Sequence, residues 1–247
     1  YVAASRLMAE ANASNIKLEI TAAQEVPIGR GLGSSACAII GGMVAANALL
    51  GFPVDSPKIL KLASEMEGHP DNVSAALLGG CCIAVGDGEN IQAAQIPIAE
   101  ELQCVVFIPE KPMATKAARG VLANEISRDD ASFNIGRTAL LIAGLALHRH
   151  EYLAWGTEDR IHQDSRMTLF PAMKQLFTNA LKAGARGVFL SGAGSSVVAL
   201  TTRGENRAMT IGLEMADAAD KLRVPGSFLI LEPAQTGVEI LTLGDGG

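Results

Sequence analysis

The sequence predicts an α+β fold in two domains, and three observations carry that prediction. A glycine-rich loop at residues 27–36 runs into an uncharged helical stretch at 36–50. In the second half, strand and helix signals follow in the order strand, helices, strand, strand, helix, strand, which suits a split β-α-β sandwich. Hydrophobic residues make up 49% of the 247 residues and charged ones 19%, so the chain has the means to bury a core.

Taken in order, residues 2–12 read as the end of a helix. In 16–21, Ile16, Leu18 and Ile20 alternate with Lys17, Glu19 and Thr21, the pattern of a half-buried strand. The 36–50 stretch has neither proline nor charge and reads as a buried helix ending near Gly51. A further helix fills 53–67, capped by Asp55 or Ser56 with Pro57 at the first helical position. A short helix at 72–78 ends at Gly79-Gly80. A buried strand at 81–85 and a short strand at 89–98, with Pro97 near its end, complete the first domain. The boundary falls near residue 98, giving domains 1–98 and 99–247. The second domain reads as a strand at 104–109 and helices at 115–123, 131–148, 150–156 and 171–183. Strands at 186–191 and 196–201 then flank a Gly-rich turn, followed by a helix at 204–221 and a strand at 227–232.

Composition excludes several classes of function. The net charge is −6 with no dense Lys/Arg block, which argues against a nucleic-acid partner. The apolar stretch at 36–50 is shorter than the ~20 residues of a membrane span, so no membrane partner is expected. Cys37, Cys81, Cys82 and Cys104 form no Cys-x-x-Cys pair and sit in apolar sequence, so they read as reduced core residues of a cytoplasmic protein. His148, His150 and His162 lack the companions of a zinc site. Trp155 reads as a core filler.

The chemistry concentrates in the loop. Gly29, Gly31 and Gly33 alternate, and Ser34 and Ser35 follow. Glycines let the backbone approach a phosphate, the first-turn amides of the helix are unpaired donors, and the helix dipole favours negative charge. The loop is not a Walker A motif, because no Gly-Lys-Ser/Thr follows. It is not a dinucleotide fingerprint either, since Ser34 stands where the third glycine belongs. The plain alternative is a strand-to-helix turn with both serines acting as caps.

The run Pro27-Ile28-Gly29-Arg30-Gly31-Leu32-Gly33-Ser34-Ser35-Ala36 resembles the ATP loop of the GHMP kinases at every fixed position of Pro-x-x-x-Gly-Leu-Gly-Ser-Ser-Ala. Glu67-Gly68-His69-Pro70-Asp71-Asn72-Val73 with Gly79-Gly80 resembles the substrate loop of the homoserine kinases within that family. Thr115-Lys116-Ala117-Ala118-Arg119 resembles their Thr-Lys-x-x-Arg segment. Residues 158–166 resemble their Asp-x-x-His-Gln-x-x-Arg stretch, except that Asp164-Ser165 replaces the usual Pro-Tyr. Phe189–Val197 resembles the third glycine motif of the GHMP kinases.

The resemblance implies a ribosomal-protein-S5-like first domain, a ferredoxin-like second domain and an active site between them. It implies ATP and Mg²⁺, with L-homoserine as the phosphoryl acceptor; a homodimer is left open as the assembly. Pro27 to Ala36 would hold ATP. Ser34 or Ser35 and Glu65 or Glu67 would reach the metal. His69 would meet the substrate backbone, Asp71 its amino group or the loop itself, and Asn72 the acceptor hydroxyl. Thr115 lies four residues before Arg119, so both share a helix face; Thr115 would stand near the transferred phosphate or the acceptor. Arg119 and Arg166 would grip the carboxylate with their planar forks. The plain alternatives are solvated acids, surface arginines and a ligand-free turn at Gly192 and Gly194. The family carries a longer segment ahead of the ATP loop than the 26 residues here, so the chain reads as part of a longer one that is weakly active or poorly soluble alone. A GHMP kinase for mevalonate or a sugar, or a nucleotide-binding chain without turnover, are the other readings.

Overall fold

Two packed units divide the chain in the computed structural model, which describes residues 1–86, 90–204 and 206–241. The first unit comprises Tyr1–Val26, Gly33–Ile96 and the tail from Ala234, and the second Pro27–Leu32 and Pro97–Pro233.

The first unit holds α1 (Val2–Glu10), α2 (Ser34–Leu49), α3 (Ser56–Glu67), α4 (Asp71–Leu78) and an antiparallel hairpin of β1 (Cys81–Val85) and β2 (Gln92–Ile96). Its core joins Leu7 of α1, Ile40 and Met43 of α2, Leu62 of α3 and Val73 of α4, all fully buried. The Asp55 carboxylate accepts the Lys58 amide at 3.0 Å and caps α3, so Ser56 is the first helical residue and Pro57 the second. Gly68, at φ 86°, ends α3 in the left-handed region that glycine adopts without steric cost. The tail from Ala234 crosses the end of α4 so closely that a Cβ on Gly79 would lie 2.1 Å from the Thr236 carbonyl carbon. Gly80 N donates to Ala234 O at 2.7 Å there. The Gly79-Gly80 pair therefore makes room for backbone.

The second unit is built on a four-stranded antiparallel sheet in the order β4 (Gly187–Leu190), β5 (Val197–Thr202), β3 (Leu102–Pro109), β6 (Gly226–Leu231). Alternate residues of β3 and β5 point to one face. Val105, Phe107, Val197 and Ala199 meet Met173 and Leu176 of α9 (Met173–Lys182) and Ile211 and Met215 of α10 (Arg207–Lys221) there. With α9 before β4 and α10 before β6, this is the expected split β-α-β order. α5 (Thr115–Gly120), α6 (Arg128–Ala146), α7 (Leu153–Gly156) and α8 (Gln163–Met167) lie in the long connection from β3 to β4. Among the described residues no helix is long and apolar enough to cross a membrane.

The structure corrects four local expectations. Residues 16–21 form no strand: alternation alone builds none without a hydrogen-bonded neighbour, and none pairs with them among the described residues. α2 is apolar all round but buried on one side only, with Cys37, Gly41, Ala45 and Leu49 exposed. Cys37 is thus no core residue, although all four cysteines are free. Trp155 is 57% exposed and stacks beside the Arg137 guanidinium, 4.9 Å from its centre, so a cation–π contact replaces the expected core role. The start of the expected 89–98 strand, at residue 89, lies outside the described residues.

Candidate active site

In the second unit, Pro27–Leu32 is held by backbone and side-chain bonds from several elements. Met113 N donates to Gly29 O, and Ser196 N to Arg30 O, each at 3.1 Å. The Ser191 hydroxyl donates to Gly31 O at 2.9 Å. Gly29 and Gly31 take φ of 69° and 76°, and a Cβ on Gly31 would sit 2.1 Å from Ser191 O. The expected turn at Gly192 and Gly194 therefore packs against the loop and admits only glycine at position 31.

Arg30 lies within the loop, where a cation invites a phosphate. Its guanidinium donates instead to Pro109 O and Ile28 O, each at 2.8 Å, and to Glu110 O. It ties the loop to the end of β3. Sequence spacing carries no sign of that role, since the partner carbonyls are 79 and 80 residues away.

Thr115 and Arg119 lie one turn apart on α5, both exposed, and neither side chain bonds to the chain among the described residues. Arg166, in the last turn of α8, donates to Gly192 O at 2.9 Å and to Ala118 O at 3.3 Å. Its pKa is lowered by burial, and nearby Arg119 pushes the same way while Asp159 opposes both. Arg166, bonded in place and partly out of water, with the exposed Arg119 guanidinium acting on it through charge, suits an anionic group.

In the first unit, Gly33 opens α2 at φ 74° with no side-chain cap, so neither serine is a cap. The amides of the first turn have no intrahelical partner, and nothing lies within 4 Å of the position a Gly33 Cβ would take. Ser34 is half-buried with no hydroxyl partner among the described residues, and Ala36 is buried. The Ser35 hydroxyl donates to Glu67 Oε2 at 2.7 Å. Glu65 instead pairs with Arg6 at 3.2 Å. A hydroxyl beside a half-buried carboxylate is a hard-oxygen donor set of the kind Mg²⁺ takes, with water and phosphate filling the remaining positions.

The turn after α3 brings His69, Asp71 and Asn72 together. Asp71 Oδ1 contacts His69 Nδ1 and accepts the Asn72 amide at 2.7 Å. The Ser74 hydroxyl donates back to Pro70 O at 2.6 Å. Asn72 is half-buried, and its side-chain amide has no partner among the described residues. Burial raises the thiols of Cys81, Cys82 and Cys104, the last to about 11, which leaves them poor nucleophiles.

Family models described as GHMP kinases N terminal domain and GHMP kinases C terminal match residues 1–80 and 141–210. The chain is 39% identical over 237 residues to a homoserine kinase of Carboxydothermus hydrogenoformans, covering 96% of this chain and 76% of that protein. It is 44% identical over 201 residues to one of Crocosphaera subtropica, covering 81% of this chain and 65% of that protein. A crystal structure of homoserine kinase from Cytophaga hutchinsonii superposes with a TM-score of 0.86 at 29% identity, over 95% of this chain and 77% of that one. On this evidence the chain belongs to the GHMP kinases, in their homoserine kinase branch.

Proposed function

We propose that the chain transfers the γ-phosphoryl group of ATP to the side-chain hydroxyl of L-homoserine, giving ADP and O-phospho-L-homoserine, in the cytoplasm and toward threonine synthesis. The Ser35–Glu67 pair beside the uncapped start of α2 carries the kinase reading. The likeness to homoserine kinases carries the choice of acceptor.

Phosphoryl transfer asks the protein for positioning and charge stabilisation more than for covalent chemistry. The glycine loop and the first-turn amides of α2 cradle phosphate oxygens. Ser35 and Glu67 would hold Mg²⁺, which when bound offsets the charge on those oxygens. The Asn72 side-chain amide, without a partner among the described residues, would orient the acceptor hydroxyl. Asp71 works on loop structure by tying His69 to the start of α4, and His69 meets the substrate backbone. Thr115 stands near the transferred group. Arg119 and Arg166 hold the substrate carboxylate.

A coupled assay of ADP release with homoserine, mevalonate and galactose tests the reading. Turnover with homoserine at least about a hundredfold above the others is expected, as a site built for charged groups discriminates. Preference for mevalonate or galactose would overturn the acceptor, and no turnover with any would overturn the kinase.

A further inference from the structure

Arg166 sits on α8, a helix of five residues, too short to hold its own direction. Its start is instead gathered around one carboxylate. Asp159 Oδ1 accepts from Asn134 Nδ2 at 2.5 Å and from Ile161 N at 3.2 Å, with His162 Nδ1 at 3.1 Å. Asp159 Oδ2 accepts from His162 N at 2.7 Å and from Gln163 N. Asn134, on α6, uses its amide oxygen as well, accepting Arg160 N at 3.0 Å. Gln163 then stitches the first turn of α8 outward. Its Nε2 donates to Thr157 O at 3.1 Å, and its Oε1 accepts Leu190 N, at the end of β4, at 2.8 Å. From that anchored start, one turn of helix carries Arg166 to the carbonyls of Ala118 and Gly192.

We infer that Asp159, supported by Asn134, is a positioning residue for substrate binding: by gathering the main chain ahead of α8 it sets the place of the Arg166 guanidinium. The inference rests on the proposed role of Arg166 as a grip on the substrate carboxylate. A carboxylate is required because every group facing Asp159 in this set presents a donor. Asp159→Asn turns one acceptor oxygen into an NH₂ aimed at N–H groups, so it loses bonds on that side and adds repulsion.

A double-mutant cycle tests this in the whole protein, with kcat, KM for homoserine, KM for ATP and the unfolding midpoint measured for wild type, Asp159→Asn, Arg166→Met and the double variant. Asp159→Asn is expected to raise KM for homoserine about 10- to 100-fold and to leave KM for ATP within about twofold. In the Arg166→Met background it should add less than about twofold, because the residue it acts through is gone. An equal effect in both backgrounds, or a loss spread evenly over both substrates, would reduce Asp159 to a structural cap. A large Arg166→Met effect with none from Asp159→Asn would sink the positioning role alone. A wild-type KM for Arg166→Met would sink the Arg166 reading and the inference with it. If Asp159→Asn does not fold, Asn134→Ala removes only the outer support and carries the same cycle at about threefold.

Discussion

The Ser35 hydroxyl donates to the Glu67 carboxylate across 2.7 Å, joining the first turn of α2 to the last residue of α3. Glu65, two residues earlier, is taken up by Arg6. The two acids therefore predict different phenotypes. Glu67→Gln should lower kcat about 10²- to 10³-fold, the usual cost of one lost electrostatic stabiliser, and should raise the Mg²⁺ concentration needed for half-maximal rate. Glu65→Gln loses an exposed ion pair and should change kcat less than about twofold. Steady-state rates across a Mg²⁺ titration decide the matter, and the reverse pattern would move the metal to Glu65.

Gly33→Val tests the loop. The position holds φ 74°, which a β-branched residue resists, and it faces open space that a phosphate is proposed to enter. ATP affinity by calorimetry should collapse while the circular dichroism stays native. Normal ATP binding would remove Gly33 from the nucleotide site.

Arg119→Leu tests the carboxylate grip. The side chain is exposed and makes no bond to the chain among the described residues, so its loss should leave stability unchanged. KM for homoserine should rise by about tens to thousands of fold, as for a lost charge-assisted pair, with ATP binding nearly intact. An unaltered KM takes Arg119 out of the site.

Asp159 also predicts an acid response. Burial works to raise its pKa, but bonds from Gln163 N, Asn134, His162 N and the His162 ring outweigh it and bring the group to about 2, below the ordinary 3.8. A carboxylate depressed on folding contributes stability that is complete above its unfolded pKa and lost as pH falls through the folded one. The His162 ring on its own loop contacts it, and the Arg166 guanidinium on α8 acts on it through charge. Urea unfolding of wild type and Asp159→Asn should therefore show a gap at pH 7 that closes between about pH 4 and 2. A gap independent of pH would mean that the carboxylate charge contributes nothing.

Asn47 is 4% exposed, yet its amide donates to Val54 O at 2.8 Å and accepts Val54 N at 3.1 Å. Asn47→Ala strands both backbone groups. Chemical denaturation should show a loss of about 1–3 kcal/mol; a change below about 0.5 kcal/mol would mean that water replaces the amide.

By itself the sequence determined the features written in local chemistry. The alternating glycines at 29, 31 and 33, a cap at Asp55 or Ser56 and the strands of the second-unit sheet all depend on residue type and on neighbours a few positions away. The family was legible for the same reason, because its motifs are short runs. Only the tertiary structure decided which hydroxyl meets which acid, since Ser35 and Glu67 are 32 residues apart and neither spacing nor propensity pairs them. Only it showed Arg30 tied to carbonyls at the end of β3, Asp159 gathering α8, and 16–21 without a strand partner among the described residues despite its alternation. A side chain's role is set by what the folded chain brings within about 3 Å of it, and a strand exists only where a second strand supplies the hydrogen bonds; both are properties of chain closure, which no local window contains.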